Sequence, residues 1–246
     1  MEGVVLDGLR RRGVAAQSEE ARLEVASRTD RGVSARANAL TLSSGISGAA
    51  LLDRLNAISP ELFFTDTASV PDQFRVRSAA RRVYRYFEPG AGRRPGTWEG
   101  CAHLFRGRVD VRSFGRGIPA SSPQWRTVES LRVQPVEGGR MVEVRAPSFV
   151  WGMVRKIIGA LREVDQGHLT PARLASAIAG RERLTLPLAP AEGLVLWEVD
   201  YPAMRWDAHW SGENRVQGAW ARQVREALWQ RTAVLRTLEA EESKAA

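Results

Sequence analysis

Leu23-Glu-Val-Ala-Ser-Arg-Thr-Asp-Arg-Gly-Val-Ser-Ala35 begins as a strand and turns polar at its centre. Leu23 to Ser27 alternates with the two-residue period that sends successive side chains to opposite faces of a sheet. Arg28-Thr-Asp-Arg-Gly32 then gathers two guanidinium groups, a carboxylate and a glycine into one loop. An aspartate after a strand ordinarily caps or bends a turn, so Arg28-Thr29-Asp30 taken alone does not define chemistry. Its meaning depends on the rest of the chain.

Outward from this loop, Asn38 to Leu42 reads as a second strand. Ser47 can cap a helix through Leu51, Leu52 and Leu55 that ends before Pro60, and Leu62 to Ala68 looks extended. Ser78 to Phe87 interleaves arginines with Val83, Tyr84 and Tyr86, which predicts a strand with a basic face. Upstream, Val5, Leu6 and Leu9 have helical spacing and Gly13 is a natural stop.

Gly90 to Gly96 is the best candidate linker. Beyond it, Trp98 to Phe105 reads as a helix, and Thr127 to Val136 with Met141 to Ala146 as a hairpin about Gly138-Gly139. Phe149, Met153, Ile157, Ala160, Leu161 and Val164 form the apolar stripe of a long helix. Thr170-Pro171 opens a shorter helix that stops at Gly180, and Gly193 to Val199 is a final core strand. Residues 204–246 form a tail with a charged helix from about Val216 to Glu242. Strands and helices alternate without a Gly-rich phosphate loop, so the expected class is α+β with a largely antiparallel sheet. The expected divisions are 1–89, 90–203 and 204–246.

The composition narrows the function. With 246 residues, 43% of them hydrophobic, the chain can bury a real core, which excludes a disordered or disulfide-stapled scaffold. It has no apolar run of membrane-spanning length, so no membrane association is expected. Cys101 with His103, His168 and His209 makes no zinc-ligand spacing; a reducing cytoplasm and a metal-free protein are the expected setting. The net charge is +8, and Lys156 and Lys244 are the only lysines among 36 cations. Arginine forks onto phosphate and stacks on bases, which suits a nucleic acid partner, although a GC-rich codon usage gives the same excess.

Ser27-Arg-Thr-Asp-Arg-Gly-Val-Ser-Ala35 resembles the Gly-Arg-Thr-Asp-x-Gly-Val-His-Ala signature of the TruA-type tRNA pseudouridine synthases, with Ser27 for the glycine and Ser34 for the histidine. Four further stretches resemble that family in the same order. They are Leu55-Asn-Ala-Ile-Ser-Pro-Glu61; Val70-Pro-Asp-Gln-Phe-Arg-Val-Arg77 followed by Arg82-Val-Tyr-Arg-Tyr86; Phe149-Val-Trp-Gly-Met-Val-Arg-Lys-Ile-Ile-Gly159; and Ala189-Pro-Ala-Glu-Gly-Leu194 with Val199-Asp-Tyr-Pro202. The likeness covers roughly residues 1 to 203, and several motifs in register are far more specific than one.

The resemblance implies the pseudouridine synthase fold: two ferredoxin-like halves sharing a largely antiparallel sheet, with a central cleft. It implies an isomerase that breaks the uracil N-glycosidic bond, turns the base and rejoins C1′ through C5, with no cofactor and no metal. Asp30 matches the catalytic aspartate, whose role is attack on sugar or base or proton abstraction at C2′. Arg155 matches its arginine partner, since a guanidinium fixes the orientation of a carboxylate. Tyr84 matches the pocket tyrosine, able to stack on the uracil and to assist removal of the C5 proton, and Leu194 the apolar wall facing it. Arg28 matches an arginine that holds the target base out of its stack, and Arg77 and Arg82 are expected on the RNA-facing strand.

The implied partner is tRNA, bound by a homodimer with the target uridine in the anticodon stem-loop near positions 38 to 40. The resemblance also implies a strand of the Tyr-Asp-Gly-Thr-x-Phe-x-Gly type ahead of Glu2-Gly3, which this sequence does not contain; that strand is expected to be missing from residues 1–89. Two other classes compete: a non-catalytic RNA-binding protein of the same fold, and a protein-interaction module using the helix from Val216 to Glu242. The second leaves Asp30, Tyr84 and Arg155 without a purpose.

Overall fold

A computed structural model describes Gly8 and residues 23–207, apart from 60, 61, 63, 91, 93, 95, 119–123 and 137. The helix expected from Val5 to Leu9 and the tail helix from Val216 to Glu242 lie outside the described residues. The described chain groups into two compact units, one from 23–28, 38–79 and 201–207, the other from 29–37 and 80–200.

In the first unit, strands β1 (Glu24–Val25) and β3 (Leu40–Thr41) pair antiparallel. Helix α1 (Gly48–Asn56) buries Leu52 and Leu55, and Leu55 packs with Leu23, Leu40, Leu42, Ile46, Ile58 and Phe64. Ser47 occupies the N-cap position with extended backbone, but its hydroxyl makes no capping bond. Among the described residues of the stretch from Leu62 to Ala68 no strand forms, and the ladder contact seen there is a bridge from Thr67 to Asp207. Its backbone is held instead by Asn56, whose amide donates to the Phe64 carbonyl at 2.9 Å and accepts from the Phe64 N–H at 2.6 Å. A side-chain amide here does the work of a neighbouring strand. Residues Val76–Ser78 form a 3-10 turn, so the strand expected from Ser78 starts three residues later.

The second unit holds β2 (Ser34–Ala35), β4 (Arg81–Pro89), β7 (Ser130–Val136), β8 (Gly139–Ala146) and β9 (Leu194–Asp200) in one sheet of order β2-β9-β4-β8-β7. Only the β2–β9 pair is parallel. The β7–β8 hairpin turns where Gly138-Gly139 predicted it, and a bulge on β9 skips Trp197 opposite the Val83–Tyr84 step. A separate ribbon pairs β5 (Gly107–Asp110) with β6 (Trp125–Val128), flanked by α2 (Thr97–Ala102) and α3 (Val111–Phe114). None of β2, β5 and α3 was legible as an element, because each is at most four residues long.

Helix α4 (Met153–Gln166) covers the sheet face that carries Tyr84, Tyr86, Val142, Val144, Leu194 and Leu196, burying Met153, Ile157, Ala160, Leu161 and Val164 as its stripe predicts. Phe149 does not belong to that helix; it lies in the turn before it, because Gly152 takes a positive φ of 74° at the N-cap. Helix α5 (Pro171–Ile178) follows, its N-cap Thr170 hydroxyl accepting from the Arg173 N–H at 3.3 Å.

The basic face expected of β4 is largely neutralised. Arg81 pairs with Glu129 at 2.6 Å, and Arg85 with Glu143 at 2.8 Å. Burial would raise the Glu143 pKa, but hydrogen bonds from Arg85 and Arg145 outweigh it and hold the group below its ordinary value.

Gly159 sets how closely α4 approaches the chain beyond α5. A Cβ there would stand 2.1 Å from the Pro187 carbonyl oxygen, a backbone atom that cannot swing aside. Gly159→Ala gains helix propensity of about 1 kcal/mol yet overpacks the contact, for an expected net loss of about 1–2 kcal/mol. Thermal unfolding checks this, and an unchanged or raised Tm would show that the Pro187 segment yields freely.

Candidate active site

Asp30 sits in a turn closed by the Val33 N–H, which donates to the Asp30 carbonyl at 3.0 Å. Gly32 takes φ +90°, and a Cβ there would meet the Glu192 carboxyl at 2.9 Å and the Ala191 methyl at 3.1 Å. The positive φ calls for glycine, and the Ala191 methyl leaves a Cβ little room, whereas the Glu192 carboxyl can swing aside. The chain then runs directly into β2, where Ser34 and Ala35 register with Val195 and Leu196 of β9. The loop is thereby tied to the sheet one turn after the carboxylate.

From the other direction, residues 151–155 bring two side chains to this place. Arg155 Nη1 donates to Asp30 Oδ2 at 2.5 Å, and Trp151 Nε1 donates to Asp30 Oδ1 at 2.7 Å. Each carboxylate oxygen therefore accepts one bond from a different donor and keeps a free lone pair. The side chains of Arg155 and Asp30 are 15% and 21% exposed, so the ion pair is shielded while the carboxylate remains reachable. Arg155 is itself held, its Nε donating to the Ala189 carbonyl at 2.7 Å while the Ala189 N–H donates to the Arg155 carbonyl at 3.1 Å. Phe149 packs edge-on against Tyr84, with ring centroids 5.1 Å apart.

A cationic flank adjoins Trp151. Arg116 lies over the Trp151 ring, 4.3 Å from its centroid, and its N–H donates to the Trp151 carbonyl at 2.9 Å. Lys156 Nζ donates to the carbonyls of Gly115 and Ser113 at 3.0 and 3.3 Å. Burial lowers the Lys156 pKa, and the neighbouring charges of Arg116 and Arg183 act in the same direction.

The residues singled out from sequence are placed as follows. Asp30 and Arg155 meet directly, across 125 positions of chain. Tyr84 is buried on β4, and Leu194 is buried on β9 opposite Tyr86, one pleat from Tyr84 on the same sheet face. Arg28 and Arg77 are exposed and belong to the first unit. Arg82 is 7% exposed and donates to the Pro147 carbonyl at 2.6 Å. Sequence reasoning passed over Trp151 and Arg116. Trp151 stood inside a quoted motif, but nothing in its spacing marks an indole that reaches Asp30.

A family model for tRNA pseudouridine synthase matches residues 101–202. The chain is 34% identical to tRNA pseudouridine synthase A of Thermococcus kodakarensis, over 88% of this chain and 82% of that protein. It is 34% identical to the protein of the same name from Thermococcus gammatolerans, over 82% of this chain and 76% of the relative. The like-named protein of Methanoculleus marisnigri is also 34% identical, over 74% and 67%. The chain belongs to the tRNA pseudouridine synthase family. The relatives compared carry the A designation, in agreement with the signature around Asp30.

Proposed function

We propose that the protein isomerises uridine to pseudouridine in tRNA, in the anticodon stem-loop near positions 38 to 40, with Asp30 as the catalytic carboxylate. The observation that carries the reading is Asp30 bonded at once by Arg155 and Trp151, in a chain of this family. Arg155 orients the carboxylate and offsets its charge, leaving a lone pair on each oxygen for the sugar or the base. Tyr84 forms the floor on which the extracted uracil stacks, its hydroxyl assisting removal of the C5 proton, and Leu194 forms the apolar wall beside it.

Arg28 and Arg77 are the RNA-facing cations in this reading. For Arg82, burial and the bond to Pro147 favour support of the turn that leads to Phe149. The protein works in the cytoplasm as a homodimer, and its sheet derives from two ferredoxin-like halves, 1–89 and 90–203. Incubation with unmodified tRNA, followed by chemical mapping of pseudouridine, tests the proposal. New pseudouridine within the anticodon stem-loop is the expected result. Binding without product would overturn it in favour of a non-catalytic RNA-binding protein.

A further inference from the structure

Trp151 is 56% exposed, unusual for a side chain so well anchored. Its N–H is fixed on Asp30, its carbonyl accepts from Arg116, and the Arg116 guanidinium lies against its ring. Gly117 lies beside the ring, where a Cβ would make only an ordinary van der Waals contact with Trp151 Cζ3 at 3.6 Å. A large aromatic surface is therefore held in one orientation, backed by a cation and open to solvent elsewhere, beside the carboxylate assigned to catalysis.

Planar surfaces of this kind suit a nucleobase, because every base has a π-face and stacking tolerates sequence. The surroundings suit the backbone that would carry such a base. Arg116 is exposed beside the ring, and Lys156, held on the carbonyl of Gly115 just before Arg116 in the chain, adds a second cation, giving a cationic rim for phosphate. Which base it is follows from the direction of the N–H. The indole N–H points outward in the ring plane, so Asp30 Oδ1 accepts it at the edge of the ring and not over its face. A base stacked on the ring occupies the layer above and leaves the carboxylate uncovered. The nucleotide on Trp151 is thus a neighbour of the one that reacts.

We propose that Trp151, backed by Arg116, is a stacking platform for the unpaired base adjoining the target uridine. The inference rests on the reading of Asp30 as the catalytic carboxylate of a pseudouridine synthase, and conversion of an intact stem-loop RNA by the wild type tests that reading separately. The platform is tested by a double-perturbation cycle on tRNA stem-loops in which the nucleotide on either side of the mapped target is made abasic. At one of the two positions, loss of the base is expected to weaken wild-type binding about ten-fold. With Trp151→Ala the same RNA change should alter affinity less than about two-fold, because the partner face is already gone. Trp151→Phe keeps an aromatic face without the N–H and should restore most of the wild-type sensitivity, which also guards against a misfolded alanine variant. Equal losses for wild type and Trp151→Ala at both positions would overturn the proposal, as would a wild type indifferent to both abasic changes.

Discussion

Asp30→Ala is expected to lower single-turnover pseudouridine formation by roughly 10⁴-fold or more, the scale on which enzymes lose a reacting group that works as part of a unit. Affinity for tRNA should fall only a few-fold, because the proposed reading spreads binding over dispersed arginine–phosphate contacts. Asp30→Asn should be no milder, for a reason visible in the two bonds to the carboxylate. An amide has one oxygen, whereas both Arg155 Nη1 and Trp151 Nε1 are donors aimed at this group. Whichever way the amide turns, its NH₂ faces a donor. Rapid-quench assays with quantified pseudouridine decide the matter, and appreciable turnover by Asp30→Ala would sink the assignment.

Arg155→Leu is expected to slow the same step by about 10²-fold or more, the scale on which a displacement near 1 Å damages a reacting geometry. The leucine would free one carboxylate oxygen and break the clasp with the Ala189 carbonyl, so both the partner and its anchor are lost. Arg155→Lys separates charge from shape. A lysine can reach one acceptor but lacks the planar fork that serves Asp30 and Ala189 together, so it should recover part of the rate. The rate under saturating enzyme, with tRNA affinity measured alongside, reads the effect. Wild-type turnover by Arg155→Leu would show that the pair is only structural.

The sequence made the long, periodic elements legible for a physical reason. The α4 stripe and the β7–β8 hairpin each repeat one contact rule over several residues, and Gly138-Gly139 and Thr170-Pro171 mark local geometry that few other pairs satisfy. The short pieces had no such redundancy. β2 is two residues long and exists because Arg36 and its neighbours dock on β9, a decision made by chain far away. The expected basic face of β4 failed for a related reason: the carboxylates that neutralise it, Glu129 and Glu143, come from a later part of the chain. In the site, Asp30 and Arg155 are marked by motif, whereas the place of Trp151 is visible only in the folded chain. Its role depends on the positive φ of Gly152, which ends the helix pattern just where periodicity would have carried it through.

The position of β9 in the sheet bears on how the protein is made. β2 and β4 are not neighbours; β9 lies between them and bonds to both, although it is the last of the three to leave the ribosome. Ala189, which clasps Arg155, emerges only a few residues earlier. A nascent chain that has displayed Asp30, Tyr84 and Arg155 therefore still has no strand against which β2 can fix the aspartate loop. In the proposed reading, activity waits for the stretch from Ala189 to Asp200 to insert, a step that closes long loops of chain. Until then the Asp30 loop lacks the strand that fixes it, so with Asp30 as the proposed catalytic carboxylate the order of translation itself delays the chemistry.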